Sequence, residues 1–383
     1  MITINKSGGR LPPFFAGDKM KPIGLYIHIP FCNGKCPYCD FYSVTPCGNK
    51  INEYVDALCR KFDETGGVYD TVYFGGGTPS LIGSDNIARI LSHINRTNDC
   101  EVTLECNPSD TGAINSEFDF SVVAESGVNR ISMGLQSADD CERKALGRRG
   151  GCEDVERAIE RAKKAGIDNI SLDLMLGIPN QTAESLKKSV EFCKNSGAKH
   201  ISAYILKIEE GTPFYKIKDS MILPDEDETC DLYLLAVDEL KKAGYEQYEI
   251  SNFSHKGYES RHNLKYWRCE EYLGIGASAH SFVDKKRFYY ERSVDGFING
   301  TPPINDGEGG DEEEYIMLAL RLSEGLIFEN YKNRFAKELS QDIIKKAEEL
   351  EKHGLIKVTD KNISLTVNGF LISNTVICEL LGY

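Results

Sequence analysis

Six short apolar runs recur along the first part of the sequence, and segments long enough to form helices separate them. The runs span residues 24–30, 71–76, 101–108, 130–136, 169–179 and 200–208. In the segments between the runs, apolar residues have helical spacing, as at Val55, Leu58, Cys59 and Phe62 and again at Leu186, Val190 and Cys193. Runs of this kind are typical of strands that are buried on both faces beneath helices.

The order of these units predicts the fold class. Six strand–helix units in succession predict an α/β fold, in which the strands form a partial (β/α)6 barrel. A doubly wound open sheet has the same alternation and is the alternative. In both arrangements the carboxyl ends of the strands carry the ligand-binding residues.

The chain is long enough for more than one domain, since single cores seldom grow beyond this size. We predict a flexible leader over residues 1–21, the barrel over 22–245, an aromatic and histidine-rich extension of the barrel over 246–304, and a small α-helical or winged-helix-like domain over 305–383. Residues 226–243 have a helical pattern, whereas 244–282 show no clear periodicity and are predicted as a functional loop region. Translation from Met20 instead of Met1 is a further hypothesis.

Charge and cysteine content restrict the partners and the compartment. The chain has 45 basic and 59 acidic residues, a net charge of −14, which disfavours nucleic acid as a partner. Its 13 cysteines are an odd number and are scattered through predicted helices and strands, which favours a reducing cytoplasm over a disulfide framework. No apolar stretch has the length of a signal peptide core or a membrane span, so we predict no integral membrane segment.

Three cysteines follow the first predicted strand in the run HIPFCNGKCPYCDF. Cys32, Cys36 and Cys39 have the spacing C-x3-C-x2-C. Three thiolates leave a four-iron, four-sulfur cluster one ligand short, so one iron would stay open for a small molecule. The alternatives are a zinc site completed by Cys47 or His28, and three unrelated reduced thiols.

Polar and glycine residues gather at the ends of the later predicted strands. The turn 75–78 follows the second run, Glu105 and Asn107 end the third, and Gln136 ends the fourth. Asp173 lies inside the fifth run, where burial of its charge without a partner would be costly. We interpret these positions as a binding site, with a hydrogen-bonded core carboxylate as the alternative for Asp173.

Six motifs in order connect the sequence with a known family: YIHIPFCNGKCPYCDF, GGGTPS, LECNP, GLQS, ALGRR and DLMLGIP. The chain from residue 24 onward resembles radical S-adenosylmethionine (SAM) enzymes of the coproporphyrinogen dehydrogenase-like group. The resemblance implies a radical SAM barrel and a [4Fe-4S] cluster whose open iron is chelated by SAM. In such enzymes an electron from the reduced cluster cleaves SAM into methionine and a 5'-deoxyadenosyl radical.

The resemblance also implies roles for individual residues, none of them a separate catalytic group. Cys32, Cys36 and Cys39 match the cluster ligands. The positions that match SAM contacts are Tyr26, Tyr38, Gly76, Gly77, Thr78, Glu105, Gln136, Arg148 and Asp173. The glycine turn is expected to approach the methionyl end of SAM with free backbone N–H groups. Arg148 is expected to face a carboxylate, and Gln136 and Asp173 to face the ribose or adenine.

Two features separate branches within this group. Phe41 stands two residues after the third cysteine, where the oxygen-independent coproporphyrinogen III dehydrogenase has a further cysteine. HNLKYW at 262–267 and YLGIGASAHS at 272–281 resemble the branch described as heme chaperones. The resemblance then implies heme binding and delivery to an acceptor protein, with an electron donor such as flavodoxin or ferredoxin. The alternatives are a radical enzyme that decarboxylates or methylates a tetrapyrrole, and a zinc-stabilised scaffold.

His262 is the candidate heme ligand in this reading. A neutral imidazole binds heme iron, and Tyr266 and Trp267 would flank the porphyrin. The alternative is that His262 holds a loop by hydrogen bonds while Trp267 packs in the core. His280 and His255 are lesser candidates.

Overall fold

The computed structural model describes residues 21–111 and 118–383. Six parallel strands stand side by side in chain order within a sheet of twelve strands. They are β1 (Ile23–Ile29), β2 (Tyr69–Gly76), β3 (Arg96–Cys106), β4 (Arg130–Gln136), β5 (Asn169–Leu176) and β6 (His200–Ile205). A doubly wound sheet would reverse its strand order at a switch point. The unbroken order confirms the predicted barrel wall. Apart from its last residue, the predicted leader lies outside the described residues.

Helices on the outside of this wall connect the strands. They are α1 (Lys50–Thr65), α2 (Ser84–Ser92), α3 (Pro108–Thr111), α4 (Phe120–Glu125), α5 (Asp140–Ala145), α6 (Cys152–Lys164), α7 (Ala183–Ser196), α8 (Pro213–Ile217) and α9 (Glu226–Lys242). The predicted apolar stripes of α1 and α7 are buried. Capping side chains define where α7 and α9 begin: Thr182 accepts a hydrogen bond from the Ser185 amide, and Asp225 from the Glu228 amide.

The stretch predicted as loops and the residues that follow it up to Glu308 contain short regular elements. They are β7 (Glu246–Gln247), β8 (Asn252–Ser254), α10 (Arg261–Trp267), β9 (Tyr272–Ile275), β10 (His280–Val283), β11 (Lys286–Tyr289), α11 (Val294–Ile298) and β12 (Ile304–Glu308). β8 pairs antiparallel with β6, and β9 pairs parallel with β1, so the stretch extends both sides of the barrel wall. The loop prediction was wrong because strands of two to five residues are too short to show a period, and pairing partners distant in sequence define them.

A second, three-stranded antiparallel sheet packs with helices at the end of the chain. The elements are α12 (Glu312–Ala319), β13 (Leu326–Ile327), α13 (Phe328–Phe335), α14 (Gln341–Lys352), β14 (Ile356–Val358), β15 (Asn362–Leu365), α15 (Val367–Leu371) and α16 (Ser373–Leu381). Helices with a small antiparallel sheet form the predicted winged-helix-like arrangement. The boundaries of the four predicted regions stay predictions. Among the described residues, no helix combines the length and the hydropathy that crossing a bilayer requires.

The barrel strands differ sharply between their two faces, as strict alternation of side chains requires. One set is apolar and belongs to the buried core: Val72, Phe74, Val102, Leu104, Ile131, Met133, Ile170, Leu172, Ile201 and Ala203. The alternating set is polar: Thr71, Tyr73, Thr103, Glu105, Arg130, Ser132, Ser171, Asp173, His200 and Ser202. Members of the polar set bond across strands, as Tyr73 does to Glu105 and Ser171 to His200. The polar set therefore lines the barrel interior, which we call the lumen.

Candidate functional site

Residues 31–47, which we call the cluster loop, connect the carboxyl end of β1 to α1 and contain the three cysteines of the motif. Backbone hydrogen bonds hold both ends of the loop. The Cys32 amide donates to the Val44 carbonyl at 3.1 Å, and the Val44 amide donates to the Pro30 carbonyl at 2.7 Å. The chain therefore presents its thiols at the strand end where a barrel binds its ligands.

The three thiols share one neighbourhood and are partly exposed. Burial raises the pKa of the Cys39 thiol, and the nearby Cys36 and Cys32 act in the same direction. Two donors approach the sulfurs: Thr78 Oγ1 lies 3.6 Å from Cys32 Sγ, and Arg148 Nη1 lies 3.7 Å from Cys36 Sγ. Thiolates with donors directed at sulfur suit an iron–sulfur cluster, whose properties depend on such contacts.

The zinc alternative has less support from the geometry. His28 uses both ring nitrogens, Nδ1 with the Tyr26 hydroxyl at 3.1 Å and Nε2 with the Tyr42 carbonyl at 3.0 Å. Within residues 21–111 and 118–383, no three His, Cys, Asp or Glu side chains surround one point as a single ion requires. In a four-iron cluster each cysteine binds a different iron, so the three sulfurs are expected to lie farther apart than they would around a single ion.

The glycine turn after β2 packs directly against the cluster loop. The Gly77 amide donates to the Ile29 carbonyl at 2.8 Å, and the Thr78 amide donates to the Phe31 carbonyl at 2.7 Å. A Cβ on Gly77 would lie 2.5 Å from the Phe31 oxygen, and Gly76 has a φ of 114°, so both positions require glycine. The prediction of free N–H groups was wrong for Gly77 and Thr78, because loop carbonyls already occupy their amides.

Two carboxyl groups lie in the lumen beneath the cluster loop. Glu105 accepts a hydrogen bond from the Tyr73 hydroxyl at 2.8 Å, and Asp173 accepts one from Ser132 at 3.5 Å. Burial raises the pKa of Glu105 to about 7, with a further contribution from the charge of Asp173. Burial also raises the pKa of Asp173 to about 6. Buried carboxyls near neutrality are suited to a cationic ligand, whose charge would favour their ionised form.

Gln136 combines backbone strain with an unsatisfied polar atom. Its φ is 69°, unusual for a residue other than glycine, and the pairing of β4 with β5 shifts register there. Its Oε1 is buried and has no partner among the described residues. Next to it, Arg148 Nη2 donates to the Gly134 carbonyl at 2.8 Å. Strain and an unpaired buried oxygen at a strand end are typical of a ligand site.

The structure brings the predicted cluster and SAM residues to one end of the barrel. Tyr38 lies beside Cys36 and Arg148 and packs against Phe214, with ring centroids 6.0 Å apart. Tyr26 stacks on Tyr73 at 6.2 Å inside the lumen. The cluster loop, the glycine turn and the polar lumen therefore form one continuous site.

Comparisons with known proteins agree with this geometry. The model of the radical SAM superfamily matches residues 26–193, and that of the HemN C-terminal domain matches residues 312–372. A Lactococcus lactis protein named heme chaperone HemW is 35% identical over 369 residues, which are 93% of this chain and 96% of that protein. An Escherichia coli protein of the same name is 36% identical over 324 residues, 80% of this chain and 84% of that protein. The chain belongs to the HemW family.

A solved structure supports the fold of this HemW-family chain. Escherichia coli HemN, described as a coproporphyrinogen III oxidase and radical SAM enzyme, covers 94% of this chain and 90% of its own with a TM-score of 0.79. At 21% sequence identity this likeness shows the fold alone. The predicted radical SAM barrel with a C-terminal domain is thus confirmed.

His262 lies in the lumen and stacks on Tyr26 and Tyr73, with ring centroids 6.5 and 5.3 Å apart. It is 1% exposed, and its ring nitrogens bond to Thr71 Oγ1 and the Tyr266 hydroxyl, both at 2.8 Å. Its amide donates to Glu101 Oε1 at 3.0 Å. Burial lowers the pKa of His262 to about 3. Because Thr71 and Tyr266 occupy both ring nitrogens, iron binding would require one of these hydrogen bonds to break, and His262 as heme ligand stays a prediction.

The other aromatic and histidine candidates also differ from expectation. Trp267 is only partly buried and lies under the Arg321 guanidinium, 5.9 Å from the ring centroid, so it does not pack in the core. His255 Nδ1 bonds to the Gly244 carbonyl at 2.9 Å. His280 is exposed and stacks on Tyr289 at 5.1 Å.

Arg130 is a lumen residue that the sequence reasoning missed. It is 2% exposed, and its Nε has no hydrogen-bond partner within the described ranges. Its positive charge opposes the rise in the pKa of Glu105 and of Asp173. The strict alternation of polar and apolar residues in RISMG, with arginine at a polar position, is the signal that would have identified it.

Proposed function

We propose that this chain binds heme and carries it to an acceptor protein, on a barrel that also holds a SAM-binding [4Fe-4S] cluster. The observation that carries the proposal is 35% identity, over 93% of the chain, with a protein named as a heme chaperone. The branch-specific residues agree, since Phe41 replaces the extra cysteine of the dehydrogenase. The acceptor and the electron donor, for which flavodoxin and ferredoxin are candidates, are to be identified by experiment.

The residues at the carboxyl end of the barrel fit the proposed cluster and SAM. Cys32, Cys36 and Cys39 would hold the cluster, and a bound cluster supplies an electron to SAM. The residues proposed to hold SAM are Tyr26, Tyr38, Gly76, Gly77, Thr78, Glu105, Gln136, Arg148 and Asp173. Their fit rests on the unpaired Oε1 of Gln136 and on two carboxyls suited to a cation.

We expect SAM to bind this site more tightly as pH rises from about 5 to about 8, by roughly tenfold. SAM carries a positive sulfonium, and Glu105 and Asp173 acquire negative charge as pH passes their pKa values of about 7 and about 6. Equilibrium dialysis of the cluster-loaded protein at several pH values measures the effect. Asp173→Asn should flatten the profile, whereas Asp360→Asn, an exposed carboxylate, should not. A flat profile in the unaltered protein would contradict the proposed role of both carboxyls.

Heme binding is tested by adding heme to the anaerobically reconstituted protein and following the Soret band. We expect a saturable change with about one heme per chain, because a carrier presents one defined site. Repeating the titration without the cluster separates heme binding from cluster chemistry. If the complete protein shows no saturable band, the heme-carrier proposal is wrong.

A radical enzyme acting on a tetrapyrrole is the second candidate. The strained backbone of Gln136 and its unpaired Oε1 favour this candidate, because backbone strain is typically found where it serves a ligand site. The reduced protein should be incubated with SAM and coproporphyrinogen III, and the products examined by mass spectrometry. Protoporphyrinogen IX or a methylated tetrapyrrole would establish this candidate, whereas deoxyadenosine alone would favour the carrier.

We propose a reducing, cytoplasmic environment for the protein. All thirteen cysteines lie within the described ranges and none is paired there. Cluster thiols and unpaired buried cysteines both persist where disulfides do not form. The net charge of −14 continues to disfavour nucleic acid as a partner.

A further inference from the structure

Three neighbouring residues of the lumen each have a buried polar atom without a hydrogen-bond partner. Thr103 on β3 stands opposite Arg130 on β4, and Arg130 stands opposite Asn169 on β5, which alternates with Ser171 and Asp173 on the lumen face. Within the part of the chain that the structure describes, Thr103 Oγ1, Arg130 Nε and Asn169 Oδ1 have no partner. We call these three residues the unpaired layer. Buried polar atoms are nearly always satisfied, so the unpaired layer is a place where a ligand or ordered water completes the bonds.

The charge of Arg130 favours a ligand over water alone. Arg130 is 2% exposed, and its charge affects the pKa of groups on β2, β3, β5, β6 and α10. These groups are Tyr73, Glu105, Asp173, His200 and His262. Arg130 therefore stands in the middle of the lumen. A guanidinium does not give up its proton, and burial of a charge that no counter-ion contacts is costly, so the unpaired layer favours a negative group.

The acidic residues of the lumen do not supply this negative group, because each of them is bonded to other donors. The donors are Tyr73 for Glu105, Ser132 for Asp173, and the amides of Arg261 and His262 for Glu101. None of the ion pairs formed within residues 21–111 and 118–383 includes Arg130. The counter-ion of Arg130 is therefore expected to come from outside the chain.

Accessible space lies above the unpaired layer, toward the carboxyl ends of the strands. Ser132, the next lumen-facing residue on β4, is small, and Glu105 and Asp173 are only partly buried. Tyr204 is 39% exposed although its hydroxyl is bonded to Asp173 inside the lumen. A group that enters at the strand ends can therefore reach down toward Arg130.

We propose that Arg130 and Thr103 bind a carboxylate of a ligand that enters the lumen. The guanidinium presents Nε and one Nη side by side, which matches the two oxygens of a carboxylate, and the Thr103 hydroxyl is a further donor. Asn169 Oδ1 is an acceptor, which a bridging water serves. Tetrapyrrole side chains and small free organic acids both supply a carboxylate. The inference rests on the proposed function for the first source and is independent of it for the second.

Glu105 and Asp173 oppose an incoming carboxylate when they are ionised, and bound SAM offsets their charge. The pKa values of these carboxyls are about 7 and about 6, and the sulfonium of SAM is positive. The charge of Glu101 faces the two amides at the start of α10. We therefore expect the ligand carboxylate to bind at least about threefold more tightly when SAM is present.

The test is a heme titration of the cluster-loaded protein and of its Arg130→Met variant, both saturated with SAM as equilibrium dialysis verifies. We expect the variant to bind heme at least about tenfold more weakly, and to bind an iron porphyrin with methyl-esterified carboxylates as the unaltered protein does. Arg130→Lys, which keeps the charge without the fork, should have intermediate affinity for heme. Equal weakening for heme and its ester would contradict the proposed carboxylate contact.

Propionate is the probe for a free acid, because it supplies the carboxylate alone. At constant ionic strength it should raise the Tm of the unaltered protein and leave the Tm of Arg130→Met unchanged. A rise of the same size in both proteins would mean that propionate acts elsewhere, which contradicts the proposed site for free acids.

Arg143 is the matched control for stability, because it is equally buried and has its partners. It is 3% exposed and donates to the carbonyls of Leu135, Ser137 and Gly150. Arg143→Met should lower Tm, whereas Arg130→Met should raise it by about 2 °C because it removes an unpaired buried charge. A lower Tm in Arg130→Met with unchanged binding of heme and propionate would identify a structural arginine satisfied by water, and the inference would be wrong.

The outcomes separate this inference from the function on which it partly rests. If the unaltered protein binds no heme but responds to propionate through Arg130, the carrier function is wrong and the unpaired layer binds a free acid. If heme binds and neither probe depends on Arg130, the carrier function stands and the inference is overturned. If the unaltered protein responds to neither probe, both proposals are wrong.

Discussion

Cys32→Ser should leave the reconstituted protein with almost no iron and sulfide, and SAM binding should be lost with them. The three thiols each bind a different iron of the proposed cluster, and a serine hydroxyl is a much poorer ligand than a thiolate. Metal and sulfide analysis after anaerobic reconstitution should give about four of each per chain in the unaltered protein and less than one in the variant.

The matched control lies in the same loop. Cys47 is exposed and stands outside the motif, so Cys47→Ser should keep the full iron and sulfide content and bind SAM normally. Equal loss in both variants would mean that Cys47 is a fourth ligand, which would close the open iron and contradict the proposed SAM site. Zinc in place of iron and sulfide in the unaltered protein would restore the scaffold alternative.

The fold could be predicted because its signal is repeated and local. Each barrel strand has its own apolar run, and each following helix its own apolar stripe, so six independent units indicate the same architecture. The same runs contain a second period that the prediction did not use: every other residue is polar, as in RISMG and NISLD. That alternation distinguishes the helix-covered face from the lumen, and it would have identified Arg130.

The hydrogen bonds of the site that the motifs did not predict have a common physical cause. The amide of Gly77 is occupied by Ile29, and the ring of His262 by Thr71, which is 191 positions away in the chain. A motif indicates which residue types occur together, but the hydrogen bonds that occupy them depend on contacts made only in the folded chain.

His262→Ala should lower the free energy of unfolding by about 2–3 kcal/mol while heme affinity stays within about twofold of normal. The substitution leaves a cavity and removes the ring partners of Thr71 and of the Tyr266 hydroxyl, which both lie 2.8 Å from the imidazole. Denaturant unfolding and the Soret titration measure the two quantities. His255→Ala is the control: it removes a half-buried histidine that bonds to the Gly244 carbonyl and stacks on Tyr245, and it should lower stability less than His262→Ala.

The pH dependence of stability distinguishes a structural His262 from a heme ligand. Burial lowers its pKa from 6.5 to about 3, so between these values the unfolded chain binds a proton that the folded chain does not. Folding stability should therefore fall as pH decreases through this window, and His262→Ala should reduce that slope. His262→Gln should recover part of the stability, because the amide restores one hydrogen bond, yet an amide does not replace an imidazole on iron. If heme binding disappears in both variants while stability is unchanged, α10 must open and His262 must bind iron after all.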